Sequence, residues 1–156
     1  MNKKRTATLV GALALIVTLG ATTAAGYASA NKYKMYLDYN YKRALGDLSG
    51  SVSNIETTLN KSVYANTATQ QNGLASKLMR ESTMAKSALS VLPVTDHSLD
   101  NVSKFVTQVG DFATTMSTKV SAGQKITDDE YKTMQDLEKF AKSLQSGLQN
   151  VKTNIQ

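Results

Sequence analysis

Between Tyr41 and Leu59 the apolar residues Tyr41, Leu45, Leu48, Val52, Ile55 and Leu59 step by four, three, four, three and four. That is an a/d heptad, the spacing that keeps one apolar seam of a helix against a partner helix. The period returns near the other end, where Met134, Leu137, Ala141, Leu144, Leu148, Val151 and Ile155 step by three and four without a fault. A chain patterned this way folds as packed helices. The single proline in 156 residues, with glycine scarce outside the N-terminal region, argues against an all-β chain full of tight turns.

The intervening sequence supplies two more helical segments and their punctuation. The first segment is expected from about residue 32 to 63, ahead of the polar break at 66–69. A second, from about 68 to 91, is less regular, with Leu74, Leu78, Ala85, Ala88/Leu89 and Leu92 on one face. Pro93 stops it, because proline lacks the N–H and disfavours helix at the residue before it. Residues 94–98 read as a loop, with Ser98 or Asp100 as N-cap of a third helix striped by Val102, Phe105, Val109, Phe112, Met116 and Val120. Gly123 is placed as a C′ residue. Thr127-Asp128-Asp129-Glu130 is a capping box with acidic groups where the helix dipole favours them, and Ile126 and Tyr131 are placed for a hydrophobic staple. The expected fold is all-α: an antiparallel, up-down-up-down four-helix bundle preceded by an N-terminal transmembrane or signal helix. The last heptad reaches Gln156 with no cap, glycine or proline, as in a polypeptide that continues.

Lys3, Lys4 and Arg5 form a basic start, and from Thr6 to Ala30 there is no charge. Those residues would span about 37 Å as a helix, enough for a hydrocarbon core of about 30 Å. The strongly apolar part, Leu9 to Leu19, is shorter and fits a signal-peptide core, and Ala28-Ser29-Ala30 has the form a signal peptidase accepts. A cleaved signal peptide and an uncleaved signal anchor both remain open on these residues. Both keep the basic cluster in the cytoplasm and export the rest. The domains expected are therefore 1–30, a signal anchor or signal peptide, and 31–156, an extracytoplasmic four-helix domain.

Immediately after the apolar segment come Tyr33, Tyr36, Tyr39 and Tyr41 with Lys32, Lys34, Lys42 and Arg43. Tyrosine flanked by lysine is the composition of an interfacial belt at the outer end of a membrane helix. The alternative is that Tyr33 and Tyr36 cover the end of the bundle while Tyr41 packs into it. The first helix running continuously out of the membrane would favour the anchor.

Net charge is +6, but removing residues 1–30 leaves 15 Lys+Arg against 12 Asp+Glu, or +3, spread along the chain. A nucleic-acid footprint gathers its cations on one face, so no nucleic-acid partner is expected. With no cysteine there is no disulfide, thiolate metal site, Cys nucleophile or lipoprotein anchor. The lone histidine, His97, has only Asp96 nearby in sequence and cannot assemble a usual catalytic zinc site; it reads as a solvated loop residue. Asp128, Asp129 and Glu130 invite a metal or acid/base reading, but their place in a capping box accounts for them. No EF-hand, glycine-rich phosphate loop or nucleophile elbow occurs. No catalytic, cofactor-binding or metal residue is assigned, no cofactor is expected, and the chain reads as a non-enzyme.

Several stretches carry a family resemblance. Asn40-Tyr41-Lys42-Arg43-Ala44-Leu45 resembles the start of the soluble part of the YpeB germination proteins, and Asn54-Ile55-Glu56-Thr57-Thr58-Leu59-Asn60-Lys61 resembles their first-helix sequence. Leu92-Pro93, then Lys104-Phe105-Val106-Thr107-Gln108-Val109-Gly110-Asp111-Phe112-Ala113, is similar to their most distinctive stretch. The run from Lys119 to Glu130 fits their next turn. These matches are collinear over about residues 38 to 150. The family normally continues into PepSY-type repeats; the sequence here stops at Gln156, as either a fragment or a short relative would, so any role of those repeats does not transfer.

The resemblance implies a sporulation protein at the inner spore membrane, with its helical domain on the extracytoplasmic side. It also implies mutual dependence with a SleB-like cortex-lytic enzyme, and support of peptidoglycan cortex hydrolysis without hydrolase activity. The expected partners are that enzyme and the membrane, with homo-oligomer formation left open. A sensory or ligand-binding ectodomain is the alternative function, since a membrane segment followed by a four-helix bundle also suits receptors.

Overall fold

The computed structural model describes the backbone of residues 3–92 and 97–154 and the side chains of 32–92 and 99–149. It contains four helices, α1 (Lys3–Val63), α2 (Ala68–Val91), α3 (His97–Ser121) and α4 (Asp128–Asn154), with no strand among the described residues. The chain divides into two compact units, Met1–Tyr39 and Asn40–Gln156. The side chains of residues 1–30, expected as signal peptide or anchor, lie outside the described set. Among the described residues no helix is long and apolar enough to cross a membrane.

Within the unit 40–156, side-chain hydrogen bonds set the direction of each helix. Asn54 reaches Glu81 and Ala65 reaches Gln71, so α1 and α2 run antiparallel. Ser82 bonds to Val106 and Asn72 to Ser121, which makes α2 and α3 antiparallel. Asn60 bonds to Glu138 and Gln145 to Ser53, which returns α4 antiparallel to α1. The helices therefore alternate up, down, up, down.

The expected α1 seam forms as written. Leu45, Leu48, Val52, Ile55 and Leu59 are buried, and Tyr41 packs against the same cluster. From α3 come Val102, Phe105, Val109, Met116 and Val120, joined by Val106 and Ala113, with Phe112 half-buried. Along α4, Met134, Ala141 and Leu148 are buried and Leu137 and Leu144 partly so; Val151 and Ile155 lie outside the described side chains. Phe105 meets the half-exposed Phe140 at a ring-centroid distance of 5.3 Å and a 44° tilt, within the range where aromatic pairs attract.

Two expectations are corrected. The buried face of α2 carries Gln71, Ala75, Leu78, Glu81, Ser82, Ala85 and Ala88, with Leu92 buried just past its end and Leu89 partly buried beside them. Leu74, expected there, lines a shallow depression with Lys61, Tyr64 and Gln70 instead. It sits one residue off a heptad whose positions 71 and 82 are polar. At the other end of α2, α3 already begins at His97, so His97 and Ser98 are helical and Ser98 and Asp100 are not the N-cap. Asp100 lies in the first turn, where the helix dipole favours an acid. The rest of the expected loop, 94–96, lies outside the described residues.

The helix ends explain the connections. Thr67 is the N-cap of α2, its side chain accepting from the Gln70 N–H at 3.3 Å. Gly123 takes φ +73°. Gln124 N–H then donates to Lys119 O and Gly123 N–H to Val120 O, both at 3.0 Å, the paired bonds of a Schellman ending. At the start of α4, Thr127 N–H donates to Glu130 Oε2 at 2.8 Å and Glu130 N–H to Thr127 Oγ1 at 3.4 Å, closing the capping box. Ile126 and Tyr131, on either side of the cap, are both partly buried against the cluster of Ala75, Met116, Val120 and Met134.

Candidate interaction surface

The bundle interior is polar where α1 meets α2. Glu81 is 2% exposed, and its carboxylate accepts from Asn54 Nδ2 at 3.2 Å and from an Arg80 guanidinium N–H at 3.0 Å. Thr58 and Ser62, fully buried on α1, donate back to the carbonyls of Asn54 and Thr58 at 2.6 and 2.8 Å. Gln71 donates to Ala65 O at 3.1 Å and to Tyr131 Oη at 3.4 Å, so one amide ties the end of α1 to α4. No buried side-chain polar atom among the described residues lacks a partner. With these buried polar groups partnered inside the bundle, this layer holds helix register.

The acidic trio resolves into structure. Glu130 is held by Lys119, whose Nζ donates to Glu130 Oε1 at 2.6 Å. That bond, reinforced by the Thr127 backbone N–H, holds the Glu130 carboxyl below its ordinary value of 4.5. Asp128 and Asp129 are exposed in the first turn. Among the described residues no group of His, Asp and Glu is arranged to hold a metal ion. The side chain of His97 lies outside the described set.

Two surface features remain. In the unit 40–156 an open groove of about 610 Å³ runs between α1 and α2, lined by Asn40, Arg43, Asp47, Met84, Ala88 and Val91 among others. Among its lining residues Ala44 and Ala88 are buried, whereas Met84 and Val91 are each about half-exposed. Arg43 and Asp47, at 3.8 Å, neutralise each other on its rim. Nothing in the sequence marks this groove, because small residues at a helix edge carry no chemical signature. In the unit 1–39, residues 32–39 are exposed throughout, Tyr33, Met35, Tyr36 and Tyr39 each by 66–74%.

An all-helical bundle with a satisfied interior and open surfaces is compatible with many binding roles, so comparison with known proteins decides the family. The model of the YpeB N-terminal family matches residues 29–156. The chain belongs to that family. Comparison with curated proteins and with solved structures returns no match. The matched span contains all of α2, α3 and α4 and the part of α1 that enters the bundle. It also reaches further at both ends than the collinear resemblance over 38 to 150. The α1–α2 groove and the tyrosine-rich stretch both lie inside the family match.

Proposed function

We propose that this YpeB-type chain is a non-catalytic, membrane-tethered spore germination protein. In this reading it supports the presence of a SleB-like cortex-lytic enzyme in the dormant spore, and so permits peptidoglycan cortex hydrolysis at germination. The observation that carries the reading is the family match over 29–156. The basic start followed by an uncharged stretch supports tethering at the inner spore membrane, with the bundle on the extracytoplasmic side.

Deleting the gene should leave spores that complete the early steps of germination, release their small-molecule stores and then stall with cortex intact. Release of cortex fragments at the wild-type rate would sink the proposal. The alternative, a ligand-binding ectodomain, draws on the α1–α2 groove. That groove is open along its length, whereas small-molecule sites bury most of their ligand, which favours the scaffold reading.

A further inference from the structure

The exposed stretch 32–39 of α1 is unusual for a helix in water. Tyr33, Met35, Tyr36, Leu37 and Tyr39 are all exposed, by 49–74%, within seven residues. At about 100° per residue they occupy an arc of about 200° around the helix. A coiled-coil seam with one partner helix is a narrow stripe, and even a core-facing globular helix uses an apolar face of a little over about 100°. The sequence positions that would extend the α1 heptad back from Tyr41 are Asp38 and Lys34, both charged, so these five side chains do not continue it. What covers them must wrap the helix on more than one side.

We infer that residues 32–39 form a collar that sits in the headgroup layer at the outer face of the membrane. Three features select a lipid surface over a protein partner. Three of the five chains are tyrosine, whose ring is apolar while its hydroxyl stays hydrated, the chemistry of the bilayer interface. Lys32 and Lys34 are exposed among them, able to extend toward lipid phosphates with their stems against the acyl boundary. The sequence immediately before is uncharged from Thr6 to Ala30. The inference deepens the proposed tethering and rests on it.

The chain has no tryptophan, so a single substitution creates a unique fluorophore. Full-length chain carrying Tyr36→Trp or Tyr33→Trp is reconstituted with vesicles of phosphatidylglycerol and phosphatidylethanolamine containing nitroxide lipids labelled at glycerol depth or near the chain ends. Tyr64→Trp, 74% exposed just past the C-terminus of α1 in the unit 40–156, is the control. The collar requires blue-shifted emission at 33 and 36, most of it lost to the shallow nitroxide and less to the deep one, with Tyr64→Trp unquenched. Chain that floats with the vesicles while 36 stays red-shifted and unquenched overturns the collar and leaves the tether standing. Blue-shifted but unquenched emission assigns the face to protein and also overturns it. Chain that does not float with vesicles overturns both.

Discussion

Asn54 on α1 donates its side-chain amide to the Glu81 carboxylate on α2 at 3.2 Å, in a layer where Glu81 is almost fully withdrawn from water. A buried carboxylate is tolerated only while its oxygens are paired, so this contact fixes how α1 and α2 align along their length.

Replacing Glu81 by alanine should destabilise the bundle by about 1–3 kcal/mol, the usual scale for breaking a buried hydrogen-bonded polar group. Arg80 contributes little to that figure, because its side chain is mostly in solvent. Asn54→Ala should cost part of the same energy, and the double variant less than the sum. Urea unfolding followed by circular dichroism of the four proteins gives the coupling; strict additivity would mean the two residues do not interact.

Glu130 links stability to pH in one direction. Its carboxyl is held below 4.5 in the folded state by Lys119 and the Thr127 N–H, so the folded protein favours the ionised form. The stabilisation is fully present above the ordinary glutamate value and is lost as pH falls through the folded one. The gap in Tm between wild type and Glu130→Gln should therefore be constant near neutrality and narrow progressively below about pH 4.5. Thr127→Ala, which removes the other half of the cap, should cost about 0.5–2 kcal/mol at neutral pH.

Gly110 sits in α3 against Ser82, whose hydroxyl donates to the Val106 carbonyl. A Cβ at Gly110 would stand 2.9 Å from Ser82 Oγ, whereas one at Gly147 in α4 would meet nothing within 4 Å. Gly147→Ala should then raise stability by about 0.5–1 kcal/mol through helix propensity, and Gly110→Ala should fail to. Adding Ser82→Ala to Gly110→Ala should recover part of the missing gain. Equal stabilisation by both single glycine substitutions, read from thermal melts, would show that α2 and α3 are not this close.

Where seam residues are apolar, the sequence showed the packing directly. The α1 heptad from Tyr41 to Leu59, the α3 stripe and the spacing of Met134, Ala141 and Leu148 all became core, and the Gly123 ending and the Thr127–Glu130 cap formed where their residues predict. The α2 seam was harder to read because Gln71 and Ser82 occupy heptad positions, and hydrophobic periodicity is blind to a polar residue buried by hydrogen bonds. Leu74 fits the apolar pattern by its side chain alone, and the structure leaves it only half-buried. The Asn54–Glu81 pair and the α1–α2 groove were likewise hidden, since both depend on which residues 27 or more positions apart meet across helices.

The most direct test of the proposed function is the amount of SleB-like enzyme in dormant spores, measured by quantitative immunoblot in wild type, in the deletion strain and in the deletion strain re-expressing the full chain. The enzyme should be absent or strongly depleted in the deletion spores and restored by the full chain. Wild-type enzyme levels in spores lacking the chain would contradict the account.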